Sequence, residues 1–140
     1  MTNQIYPCLW FDGQAKAAAT FYCSIFKNSR ITTDTPMVVT FELNGKQFMG
    51  LNAGAQFKFT EAVSFVVNCD TQEEIDLYWE KLSQGGSEGQ CGWLKDQFGL
   101  SWQIVPTILA KLMTDPEKAP RVMQAFMKMK KFDIEKLKAA

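Results

Sequence analysis

The 140-residue sequence contains no histidine. That absence removes the commonest metal ligand and the usual general base, so neither a Ser-His nor a Cys-His nucleophilic couple can be assembled. Cysteine pairs are also missing. Cys8, Cys23, Cys69 and Cys91 lie far apart with no C-x-x-C pair, a pattern that fits reduced thiols in a cytoplasmic protein better than a disulfide framework or a zinc site. There is no surplus of charge, since 15 Lys and Arg balance 15 Asp and Glu. Phosphate neutralisation needs a clustered basic excess, so nucleic acid is not an expected partner. The one basic run, Lys128-Met129-Lys130-Lys131, sits among apolar residues at helical spacing and reads as the solvated side of a C-terminal helix. No stretch approaches roughly 18 apolar residues, and Met1-Thr2-Asn3-Gln4 has neither a basic n-region nor an apolar h-region. Neither a membrane span nor a signal peptide is expected. Absent too is a glycine-rich strand-to-helix loop of the kind that serves adenosylmethionine in a Rossmann fold.

Aromatic residues are plentiful: eleven Phe, four Trp and three Tyr, enough to fill a core or line a pocket. Ile5 to Phe11 reads as a buried strand ended by Asp12-Gly13, with Asp12 a candidate helix cap. Ala18, Phe21, Tyr22 and Ile25 then fall on one face of an amphipathic helix. Arg30 to Thr33 reads as a short strand. Met37 to Leu43 and Lys46 to Asn52 flank Asn44-Gly45, the turn dipeptide that tolerates positive φ at both positions of a type I′ hairpin. The same order recurs. Ala62 to Cys69 reads as a strand, and Thr71-x-x-Glu74 as a capping box for a helix with an Ile75, Tyr78, Trp79 and Leu82 face ended by Gly85-Gly86. Short strands are expected at Glu88 to Gln90, Gly92 to Lys95 and Leu100 to Val105.

The chain thus reads as strand, helix and three strands, twice over. A βαβββ unit this small cannot bury its sheet alone, so two should associate. The expected fold class is α+β, with paired βαβββ modules over 1–106 (about 1–56 and 57–106) and a helical tail of the same domain over 107–140. In the tail, Asp115-Pro116-Glu117 looks like a helix start. Val122, Met123, Phe126 and Met127 form an apolar stripe, and Asp133 can cap a last short helix.

Several stretches resemble PhnB-like proteins. They are Pro7-Cys8-Leu9-Trp10-Phe11-Asp12-Gly13, then Leu43-Asn44-Gly45-Lys46-Gln47-Phe48-Met49, then Arg121-Val122-Met123-Gln124-Ala125-Phe126-Met127. Most specific is the run from Gly92-Trp93-Leu94-Lys95-Asp96 through Gln97-Phe98-Gly99-Leu100-Ser101-Trp102-Gln103-Ile104-Val105-Pro106. The resemblance implies the glyoxalase, bleomycin-resistance and extradiol-dioxygenase superfamily, in which paired modules form an incomplete barrel around a cleft, usually in a homodimer. Many such relatives carry the label 3-demethylubiquinone-9 3-methyltransferase.

Superfamily enzymes mostly hold a divalent metal through four strands, and strand alternation locates the corresponding positions here. Phe65, Val67 and Cys69 suit the helix side of their strand, leaving Ser64, Val66 and Asn68 for the cleft. By the same alternation Tyr6, Cys8 and Trp10 face the cleft, as do Phe48, Gly50 and Asn52, and Ser101, Gln103 and Val105. The four ligand positions fall roughly at Tyr6, Gly50, Ser64 and Gln103, of which only Gln103 is even a weak ligand. No metal and no cofactor are expected. Cys8 lacks any visible base or helix N-terminus to activate it. What remains is an aromatic cleft: Tyr6, Trp10, Phe48 and Trp93 for stacking, and Asn52, Ser64 and Gln103 for hydrogen bonds. The expected role is binding of a small apolar or aromatic ligand. The rivals are a methyltransferase-labelled or lyase-type enzyme acting on a quinone-like or phosphonate-related compound, and a structural or regulatory dimer with a filled cleft.

Overall fold

A computed structural model of the chain describes residues 3–140; Met1 and Thr2, which begin the N-terminal stretch read above for a leader, lie outside the described residues. The chain divides into two compact units, Met1–Phe59 and Thr60–Ala140. Each carries one βαβββ module, so the duplication expected from the sequence is present.

The first unit comprises β1 (Cys8–Phe11), α1 (Ala15–Ile25), β2 (Arg30–Asp34), β3 (Val38–Leu43) and β4 (Lys46–Asn52). Its sheet order is β1-β4-β3-β2, with β1 parallel to β4 and the other pairs antiparallel. A parallel neighbour requires a crossover, which α1 supplies. Asn44 and Gly45 turn the β3–β4 hairpin with φ of 51° and 79°, as their sequence predicts. Leu9, Phe11, Val39, Phe41 and Leu43 bury one sheet face against Ala15, Ala18, Ala19 and Tyr22 of α1. Alanine on the helix and Gly50 on β4 bring the two backbones close: a Cβ on Gly50 would stand 3.0 Å from that of Ala15.

Two local expectations shift here. The first strand starts at Cys8 rather than Ile5, and Ile5 is 99% exposed. Pro7 has no N–H to donate, so the ladder opens with its carbonyl alone, accepting from Met49 N at 3.0 Å. Asp12 does not cap α1 either. The helix begins at Ala15, and the acceptor for Ala15 N is Asn52 Oδ1 at 2.9 Å, from the end of β4.

The second unit repeats the layout with β5 (Ser64–Cys69), α2 (Gln72–Ser83), β6 (Ser87–Glu88), β7 (Trp93–Lys95) and β8 (Ser101–Pro106), in the order β5-β8-β7-β6. Thr71 and Glu74 form the predicted reciprocal capping box. Ile75, Trp79 and Leu82 pack against Leu94, Trp102 and Ile104 on one sheet face. Asp96, buried in the β7–β8 turn, accepts Phe98 N and Leu100 N on Oδ1 and the Trp102 indole N–H on Oδ2. Its carboxylate therefore builds the turn, and so fixes where β8 starts.

The tail forms α3 (Ile108–Met113), α4 (Ala119–Phe126) and α5 (Ile134–Ala139). Asp115 accepts Glu117 N and Lys118 N and delays the helix, so Pro120 rather than Pro116 occupies its first turn. Asp133 caps α5 as expected. The tail docks on its own unit. The Gln72 amide donates to Phe132 O and accepts from Ile134 N, and Gly92 leaves room for the Phe132 ring, which a Cβ there would meet at 2.4 Å. Val122 is buried, whereas Met123 and Met127 of the predicted stripe face solvent. No helix among the described residues is long and apolar enough to cross a membrane.

Candidate functional site

Residues paired across strands share a face, so register and burial together assign every side chain of a sheet. In the second unit Phe65, Val67 and Cys69 of β5 pair with Trp102, Ile104 and Pro106 of β8, on the side of α2. The other face carries Ser64, Val66 and Asn68 of β5, Ser101, Gln103 and Val105 of β8, and Trp93 and Lys95 of β7. This is the alternation read from the sequence. Val66 is 54% exposed, so solvent reaches this face.

The face has a polar line along it. Gln103 Nε2 donates to Ser64 Oγ at 2.9 Å, diagonally across one step of the parallel pair. Trp93 lies opposite Gln103 on β7 and is half-buried. Ser64, Ser101 and Lys95 form the neighbouring row. Ser101 is fully buried, and its Oγ has no hydrogen-bond partner. Lys95 reaches Glu61, in the turn before β5, at 2.8 Å, and the ammonium holds the Glu61 carboxyl below the usual carboxylate range. Glu61 is not among the residues that the sequence singles out. Nothing in linear spacing signals a pair formed across a sheet from β7 to the approach of β5.

In the first unit, Trp10 lies on the face away from α1, with Cys8 beside it on β1 and Met49 and Leu51 as register partners on β4. Its indole N–H donates to Gly54 O at 2.8 Å, and its ring meets Phe57 edge-on at 4.9 Å. Tyr6 precedes the strand and is 37% exposed. Phe48 and Asn52 lie on the opposite side, because the alternation expected for β4 is inverted. Gly50 between them contacts Ala15 of α1, Phe48 stacks on Phe41 at 5.5 Å, and Asn52 caps α1 while donating Nδ2 to Pro36 O at 2.9 Å. Both ends of the Asn52 amide are thus committed to the fold. Ser64, Trp93 and Gln103 are brought together in one unit, and Trp10 sits in the other.

The residues do not fit a divalent cation. Of the four positions matched to metal ligands, Gly50 offers no side chain and faces α1, and Ser64 and Gln103 hydrogen-bond each other. Among the described residues no group of three or more His, Cys, Asp or Glu side chains stands together in a metal-holding arrangement. Thiol chemistry is disfavoured too. Burial pushes the Cys8 thiol up, and burial with the Glu74 and Asp70 charges pushes Cys69 up to about 12, the reverse of nucleophile activation.

Residues 3–105 match the family model described as 3-demethylubiquinone-9 3-methyltransferase. Among solved structures, the chain is similar to a PhnB protein of Bacillus cereus bearing the same methyltransferase description, with 34% identity and a TM-score of 0.69 over 75% of this chain and 100% of that one. It is also similar in fold to a Pseudomonas aeruginosa protein (19% identity, TM-score 0.65, 75% and 98% covered). A fosfomycin resistance protein, FosX, from Listeria monocytogenes, complexed with Mn(II) and sulfate, matches at 15% identity and TM-score 0.60 over 81% and 98% of the two chains. No curated protein matches the chain.

Proposed function

Because the chain belongs to the PhnB-like 3-demethylubiquinone-9 3-methyltransferase family of the glyoxalase, bleomycin-resistance and dioxygenase superfamily, we propose that it binds a small apolar or aromatic molecule without a metal ion. The binding residues on this reading are Trp93, Ser64 and Gln103, all on one sheet face of the second unit. The observation that carries it is the grouping of an indole, an amide and a hydroxyl on one solvent-reached sheet face, where the donor set suits hydrogen bonding and stacking rather than coordination. The four free thiols fit a reducing cytoplasm, and the family resemblance favours a homodimer.

A second reading has its own support. Gln103 and Ser64 already satisfy one another, and Trp10 is engaged by Gly54 and Phe57. Those contacts suit a structural dimer whose sheet faces are filled. The two readings separate in a thermal-shift screen with small neutral aromatics such as indole and benzamide. On the binding reading they raise the melting temperature, and Trp93→Ala or Gln103→Ala loses the ligand-induced rise while keeping the ligand-free melting temperature. A flat screen, together with normal folding of both variants, refutes it. Methyl transfer from adenosylmethionine by the purified chain would instead establish the enzymatic rival.

A further inference from the structure

The row Ser64–Ser101–Lys95 runs across three neighbouring strands of the second unit, with β8 in the middle. Adjacent strands lie about 4.8 Å apart, so Lys95 and the start of β5 are roughly 10 Å from each other with Ser101 between them. The ion pair from Lys95 on β7 to Glu61 before β5 therefore crosses β8 at Ser101, on the face away from α2. Directly in that row is the one buried side-chain oxygen or nitrogen among the described residues that lacks a partner, the Ser101 hydroxyl. This hydroxyl, on the residue paired across strands with Lys95, has an unused donor and acceptor. One strand step further along the same face are the Gln103 amide and the Trp93 ring.

We propose that Lys95 is the anion-recognition residue of this face, and that Glu61 holds the place of a ligand oxyanion in the ligand-free protein. This rests on the binding reading above and specifies its ligand class: a small aromatic or apolar molecule bearing a carboxylate or another oxyanion. The anionic group displaces the Glu61 carboxylate from Lys95 and accepts the Ser101 O–H, while the apolar body lies toward Trp93 and Gln103. Displacement is easy, because both partners of the ion pair are about half exposed and such pairs are weak. An incoming oxyanion gains charge-assisted hydrogen bonds to both Lys95 and Ser101, whereas Glu61 makes only the first.

Benzoate and its neutral isostere benzamide test this by isothermal titration of the full chain at low ionic strength. Wild type should bind benzoate about tenfold more tightly than benzamide, the ratio that ~1.4 kcal/mol confers. Lys95→Met should bring benzoate down to the benzamide level while leaving benzamide unchanged. Lys95→Arg should retain the preference, and Glu61→Gln should strengthen benzoate several-fold. A benzoate affinity indifferent to Lys95→Met, or equal affinities for both probes in wild type, overturns the inference and leaves the aromatic-binding reading standing. Binding of neither probe overturns both. Circular-dichroism melts of each variant verify that affinity changes are not losses of fold.

Discussion

Replacing Asn52 with alanine tests whether that side chain serves the fold or a ligand. In the structure Oδ1 accepts Ala15 N at 2.9 Å, the first backbone donor of α1, and Nδ2 donates to Pro36 O at 2.9 Å. Ala15 is fully buried, so water cannot replace the lost acceptor well. Losing a helix cap costs about 1 kcal/mol, towards the upper part of its range when the orphaned N–H is buried. Losing the bond to Pro36, whose carbonyl solvent can reach, adds roughly 0.5–1 kcal/mol. The sum is about 2 kcal/mol, which for a chain of this size lowers the melting temperature by roughly 6 °C. Asn52→Asp keeps the acceptor, adds a favourable charge at a helix N-terminus and loses only the donor, so it should fall between wild type and Asn52→Ala. Urea unfolding followed by circular dichroism reads these differences as shifts in midpoint at constant slope. An Asn52→Ala protein as stable as wild type, but deaf to ligands that stabilise wild type, would refute the capping account and return Asn52 to the binding face.

Gly92→Ala should destabilise by about 2–4 kcal/mol, since φ of 82° strains an alanine and its Cβ strikes the Phe132 ring. Limited proteolysis should then cut first near Met129 and Lys130, where the tail leaves its dock. Asp96→Ala orphans two backbone donors and the Trp102 indole at once, and should cost about 3–5 kcal/mol in urea unfolding. Iodoacetamide should alkylate exposed Cys8 before buried Cys69, as read by peptide mass spectrometry. Because partial desolvation raises the Cys8 thiol, and burial with the Glu74 and Asp70 charges raises that of Cys69, each rate should still be climbing above the ordinary thiol range, and a plateau near neutral pH would contradict the assigned environments. The Lys95–Glu61 pair acts through a lowered carboxyl pKa. Its contribution to stability is present above the ordinary carboxylate range and is lost as pH falls through the lowered value, so any stability difference between wild type and Glu61→Gln in urea unfolding should vanish on strong acidification.

The duplicated module was legible because its signals are local. Asn44-Gly45, the Thr71–Glu74 box, the α1 and α2 apolar faces and the alternation of β5 and β8 each need only a few residues of sequence to be read. What sequence hid was set by contacts between distant segments. Met49 and Leu51 look like core residues by hydrophobicity. The close approach of Ala15, however, demands a glycine on the helix side, so β4 turns those two residues outward and Phe48 inward. Asn52 looked like a free amide because its partners are 37 and 16 residues away. Asp12 stands at the expected cap position, yet the acceptor for the first helical N–H comes from another strand. The candidate site divides the same way. Ser64 and Gln103 emerge from alternation alone, whereas the Lys95–Glu61 link and the buried Ser101 hydroxyl depend on which strands become neighbours.

The proposal of ligand binding without a metal is tested most directly by elemental analysis of the full-length protein after equilibrium dialysis against manganese and zinc. The sheet-face chemistry described here predicts no stoichiometric ion bound in either case. A tightly held ion in a fixed ratio to the chain, lost on Gln103→Ala, would contradict it.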